Sequence, residues 1–169
     1  MIPPVISIVA NSGTGKTTLL EKLIAELKRR GYRVGAIKHD AHEFSIDHEG
    51  KDSWRLTRAG AETMLISSAT RVAMVSQLHG NRAPEPLELA RTYCRNLDIV
   101  LTEGGKTGTL PKIEVHRRHL GDTLLCRGAE HDPSLVAVAA DSPIETDVPV
   151  FDLNDAPAIC DFLVDRYLQ

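Results

Sequence analysis

The chain has 169 residues, with 20 Lys and Arg against 23 Asp and Glu, for a formal charge of −3. Hydrophobic residues make up 42% and charged residues 25%, close to globular averages, which excludes wholesale disorder and leaves enough chain for a buried core. A pI near 6.2 gives no global pull toward nucleic acid or an anionic membrane. No apolar run approaches the roughly 18 residues that cross a bilayer. Met1-Ile2-Pro3-Pro4 has no basic flank, the first lysine being Lys16, so no secretory signal is expected. Cys94, Cys126 and Cys160 form no CxxC spacing, so neither a disulfide framework nor a zinc knuckle is expected. These features predict a cytoplasmic protein with neither nucleic acid nor membrane as partner.

Val5 to Ala10 is a short, β-branched, nearly continuous apolar run, the pattern of a strand buried on both faces. After a glycine-bearing loop at 11–15, Leu20, Leu23, Ile24 and Leu27 recur at helical spacing and predict an amphipathic helix. Lys28, Arg29 and Arg30 suit its negative dipole end, and Gly31 its termination. Tyr32 to Lys38 reads as a second strand, completing a βαβ unit. Residues 39–51 are polar and read as a loop, followed by a short helix through Trp54 and Leu56 to Gly60. Two strand-like stretches, Glu62 to Ser67 and Arg71 to Gln77, flank a short turn. Pro84 to Cys94 reads as a helix, Leu97 to Thr102 as an apolar strand, and 106–134 as an irregular or hairpin insertion with a strand at Lys112 to Val115. Leu135 to Ala140 is another buried strand, and Ala158 to Tyr167 a closing amphipathic helix. The alternation predicts a single α/β domain with a doubly wound, mainly parallel sheet.

The strongest chemical signal is Ala10-Asn11-Ser12-Gly13-Thr14-Gly15-Lys16-Thr17-Thr18, between a strand and a helix. It follows the P-loop pattern GxxxxGK[ST] except that Ala10 takes the first glycine position. Gly13 and Gly15 allow the backbone amides of Ser12 to Thr18 to turn inward as an anion nest, reinforced by the helix dipole. Lys16 is expected to reach the β- and γ-phosphates and the Thr17 hydroxyl to ligate Mg²⁺. Asn11 stands where some dimeric P-loop ATPases carry a second lysine, so no trans-acting lysine is expected.

A P-loop site needs a carboxylate near the metal, at the carboxyl end of a neighbouring strand. In Asp98-Ile99-Val100-Leu101-Thr102-Glu103, Asp98 opens the strand and Glu103 closes it, which favours Glu103. Asp40 ends the second strand at the same edge and is a candidate to hold the Mg²⁺ through water or to orient an attacking water, or to serve as a helix or turn cap. Asp141 follows the strand ending at Ala140. Its carboxylate could accept two hydrogen bonds from guanine N1 and N2, or act as a turn acid before Ser142-Pro143. The histidines of the 39–48 loop, with their loose spacing, read as a polar loop rather than a zinc or nickel site. His116-Arg117-Arg118-His119 reads as surface charge, and no cis arginine finger is visible.

Ser12 to Leu19, Lys38-His39-Asp40, Gly50-Lys51-Asp52-Ser53, Ala59-Gly60-Ala61, Glu103-Gly104-Gly105-Lys106, the Val136 to Ala139 strand with Asp141, and Phe151-Asp152-Leu153-Asn154-Asp155 together resemble the molybdopterin-guanine dinucleotide biosynthesis protein B family. The matches run in order along nearly the whole chain. Gly105 stands where that family more usually has a bulky residue, and 106–134 matches loosely. The resemblance implies a GTP- and Mg²⁺-binding homodimer of low GTPase activity, an adaptor for the nucleotidyltransferase that attaches GMP to molybdopterin. It places Ser12 to Thr18 in the phosphate loop and Glu103 as the strand-end acid. The readings weighed against it are a P-loop small-molecule kinase, which lacks a recognisable lid here, and a GTPase metallochaperone, which lacks a CxxC or dense His tract.

Overall fold

The computed structural model describes residues 2–39, 44, 46–80, 82–128 and 131–168. They divide into two compact units, one built from residues 1–39 with 84–169 and the other from 40–83.

In the first unit the strands are β1 (Val5–Val9), β2 (Val34–Lys38), β5 (Ile99–Glu103), β6 (Lys112–His116), β7 (Leu135–Ala140) and β8 (Val150–Asp152). They form one sheet of order β2-β5-β1-β6-β7-β8, parallel at every pairing. Parallel strands need crossovers: α1 (Lys16–Arg29) lies between β1 and β2, and α3 (Pro86–Tyr93) in the connection from β2 to β5, while α4 (Ala156–Tyr167) follows β8 and packs back on the sheet. β1 is buried along its whole length. Ile6 and Ile8 pack with Leu19, Leu23 and Leu27 of α1 and Ile159 and Leu163 of α4. Val5 meets Ala90 of α3 on the other face, and Val9 meets Leu124, Cys126 and Val138. Successive side chains of a strand point to opposite faces, so the apolar run serves two cores at once.

Glu26 gathers Arg29 and Arg30 at the end of α1, and Arg30 continues to Asp161 of α4 at 2.5 Å. The carboxyl group of Glu26, held by hydrogen bonds from Arg29 and then Arg30, is lowered to about 2. A capping box between Glu85 and Glu88 opens α3, and Asp155 caps α4 by accepting from Ala158 N at 3.0 Å. The strand β8 is absent from the sequence reading because three residues at a sheet edge carry no periodic signal.

β6 is unusual: all five of its residues, Lys-Ile-Glu-Val-His, are buried. Lys112 Nζ donates to Asp132 Oδ2 at 2.6 Å, to Ser134 Oγ at 2.8 Å and to the Gly108 carbonyl. Glu114 accepts from the backbone amides of Leu125 and Cys126 at 2.6 and 2.9 Å. The buried charges therefore anchor Gly108, Leu125, Cys126, Asp132 and Ser134 to the sheet.

The second unit contains α2 (Asp52–Arg58) and an antiparallel hairpin of β3 (Thr63–Ser67) and β4 (Val72–Ser76). The Ser68 hydroxyl accepts from the amides of Thr70 and Arg71, fixing the turn. Leu65, Ile66 and Val72 of the hairpin are exposed. No helix among the described residues is long and apolar enough to cross a membrane.

Candidate functional site

The segment from Asn11 to Gly15 leaves β1 at the carboxyl edge of the sheet and returns as α1. Gly13 and Gly15 have φ of +79° and +94°, left-handed values that a Cβ makes costly, and Gly15 is the residue capping α1. The turn is closed by Thr14 Oγ1 donating to the Asn11 carbonyl at 3.0 Å. The first-turn amides of α1 then lack helical acceptors and make an anion site. Ala10 is fully buried and belongs to the core beneath the loop, which accounts for a methyl group where the motif has glycine.

Lys16 Nζ donates to the carbonyls of Ala10 and Asn11 at 3.3 and 3.0 Å. Burial lowers its pKa, with the Glu103 charge opposing and the Lys106 charge assisting. Thr17 Oγ1 donates to Glu103 Oε2 at 3.0 Å, so the hydroxyl from α1 and the carboxylate from β5 meet beside the loop. Two hard oxygen donors in contact suit a magnesium ion, which would be held between them while it neutralises phosphate charge. The Gly104 turn passes so close to β2 that a Cβ there would lie 2.9 Å from the His39 carbonyl oxygen, and Gly104 has φ of +102°. Asp98 lies at the opposite end of β5, bound to the Arg33 amide at 2.7 Å and its guanidinium at 2.6 Å.

Asp40, His42 and Glu43 lie outside the described residues. Among the described residues no group of three or more His, Cys, Asp or Glu side chains could hold a metal ion.

Arg117 is the residue that sequence reasoning passed over. It follows β6, and its Nε donates to the Thr14 carbonyl at 2.8 Å, laying the guanidinium along the phosphate loop. Its Nη1 is 3.5 Å from Asp141 Oδ2, and the Arg118 amide donates to Asp141 Oδ1 at 3.1 Å. The Arg118 amide, and then the Arg117 charge against opposing burial, hold the Asp141 carboxyl below the usual range. The only available signal was position: a basic residue just after a strand at the carboxyl edge.

A family model described as molybdopterin guanine dinucleotide synthesis protein B matches residues 5–141. Over 164 residues the chain is 41% identical to the molybdopterin-guanine dinucleotide biosynthesis adapter protein of Haemophilus influenzae, covering 95% of this chain and 87% of that one. The Escherichia coli adapter protein is 38% identical, with 96% and 92% covered. A solved structure of molybdopterin-guanine biosynthesis protein B superposes with a TM-score of 0.75 at 24% identity, covering 95% and 97% of the two chains. A homologue from Bacillus stearothermophilus gives 0.66 at 25% identity, with 95% of each chain covered. With residues 5–141 matched by the family model and 41% identity to a relative covered over 87% of its length, the chain belongs to the molybdopterin guanine dinucleotide synthesis protein B family.

Proposed function

We propose that this protein binds GTP with Mg²⁺ at the phosphate loop and acts in the cytoplasm as an adapter, assisting a nucleotidyltransferase that joins GMP to molybdopterin. The observation that carries the nucleotide reading is the contact of Thr17 Oγ1 with Glu103 Oε2 beside the Lys16 amine. The adapter role is supported by the names of the relatives. In this reading Ser12 to Thr18 cradle the phosphates, Lys16 neutralises them, Thr17 and Glu103 hold the metal, and Asp141 reads the base. Asp40 is the candidate to orient an attacking water in a weak GTPase reaction. The cavity of about 820 Å³ bordered by Val9, Lys106, Cys126 and His131 lies in the size range of small-molecule sites and offers room for the pterin.

Displacement of a fluorescent GTP analogue tests the nucleotide reading. GTP should compete in Mg²⁺, and ATP should compete poorly. ATP preference would favour a small-molecule kinase instead. Glu103→Gln should weaken GTP binding about tenfold in Mg²⁺, the loss of one charged ligand contact, while leaving binding in excess EDTA unchanged. An equal loss in both conditions would remove Glu103 from the metal.

We also propose a homodimer built on the second unit. A two-stranded hairpin is marginal by itself, and β3 and β4 expose Leu65, Ile66 and Val72, an apolar surface of the kind that marks an interface. Ile66→Glu should shift the sedimenting species from dimer to monomer. A wild-type chain that sediments as a monomer at micromolar concentration would refute the dimer.

A further inference from the structure

The order of the strands gives a nucleotide in this site a direction. Glu103 lies on β5, on one side of β1, while Arg117 and Asp141 follow β6 and β7 on the other. With phosphates and a metal held at Thr17 and Glu103, the rest of a nucleotide would extend across the loop toward Arg117 and Asp141.

There the side chains are held but not fully used by one another. Arg117 is oriented by the Thr14 carbonyl through Nε, and Asp141 by the Arg118 amide through Oδ1. Their remaining atoms, Arg117 Nη1 and Asp141 Oδ2, are 3.5 Å apart, long for a charge-assisted hydrogen bond. The result is a directed donor beside a directed acceptor, each with capacity left. Guanine carries the complementary pair on adjacent atoms: O6 accepts and N1–H donates. Adenine presents the reverse, an N6 amine that donates and an N1 that accepts, so it would face both partners with the wrong sign.

We propose that Arg117 Nη1 and Asp141 Oδ2 read O6 and N1–H of guanine together, making Arg117 a specificity-determining residue. This rests on the guanine-nucleotide reading above and adds to it a second residue and a defined edge of the base. The tie to Thr14 gives the contact a further property: the side chain that reads the base is fastened to the loop that holds the phosphates.

The test is a set of dissociation constants for GTP, ITP and ATP in Mg²⁺, for the wild type, Arg117→Ala and Asp141→Asn. ITP keeps O6 and N1–H and lacks only the 2-amino group. In Arg117→Ala, GTP and ITP should both bind about 10- to 100-fold more weakly, the range for a base contact from arginine. ATP should change by less than about threefold, so the GTP-to-ATP ratio collapses. Asp141→Asn should also lower that ratio. The ratio is taken within one variant, so a partly unfolded sample does not mimic the result. Equal losses for all three nucleotides in Arg117→Ala would make the residue a phosphate or loop support and overturn the proposal. So would a wild-type preference for GTP that survives in that variant. A wild type with no preference for GTP would remove the guanine reading itself, and the proposal with it.

Discussion

Lys16→Ala should reduce Mg²⁺-dependent GTP binding by about 10²- to 10⁴-fold, to the floor of a fluorescence titration. The amine already lies against the Ala10 and Asn11 carbonyls inside the loop, so little reorganisation separates it from bound phosphates. It would make charge-assisted hydrogen bonds to two phosphate groups, each worth about 1.5–3 kcal/mol. Because burial lowers its pKa, affinity should also decline on the alkaline side sooner than an ordinary lysine would allow. The loop backbone is unchanged by the substitution, so the thermal midpoint should stay near that of the wild type. Retention of GTP affinity within about threefold would show that the nest amides bind the nucleotide without this lysine.

Asp132→Ala should destabilise the fold by about 3 kcal/mol, whereas Lys112→Met should cost much less. Lys112 is 1% exposed and its side-chain partner Asp132 is 25% exposed. Removing the aspartate strands a buried cation, which typically costs about 3–5 kcal/mol, reduced here because Ser134 Oγ and the Gly108 carbonyl remain. Methionine removes the charge while keeping the volume, and Asp132 can turn toward water. Urea midpoints of the two variants decide the matter, and an Asp132→Ala loss below about 0.5 kcal/mol, the level of a surface change, would contradict the account. The pair also predicts an acid response. Burial opposes ionisation of Asp132, but hydrogen bonds from Lys112 and Ser134 outweigh it and bring the pKa to about 2. A depressed carboxylate stabilises the fold fully above its unfolded value of about 3.9 and loses that contribution as pH falls toward 2. The wild type should therefore lose stability more steeply than Asp132→Ala between these limits.

The same pair explains where the sequence was readable and where it was not. The phosphate loop, β1, β7 and α1 declare themselves locally, through spacing and an unbroken apolar run. Thr17 and Glu103 could be paired on paper because the loop pattern puts Thr17 in the first turn of α1, at the same sheet edge where β5 ends in Glu103. Lys-Ile-Glu-Val-His looks instead like a strand with one wet face, since alternation of charge and apolar residues normally means that. It is buried throughout because Asp132, Ser134, Leu125 and Cys126 return to satisfy its polar atoms. Arg117 was hidden for the same reason: its partners, Thr14 and Asp141, lie 103 and 24 residues away. Local pattern carries no information about such closures.

The sheet order has a consequence for how the molecule comes into being. β1 pairs with β5 and β6 and with neither of the strands that follow it soonest. Its first partner begins at Ile99 and its second at Lys112. Closing such distant pairings is slow and costs chain entropy before any contact compensates. A ribosome that has released only the amino-terminal half has therefore made the phosphate loop without the walls that shape it. Nucleotide capture is a late event in synthesis, and the apolar Val5–Val9 run must wait, unpaired, for the strands that enclose it.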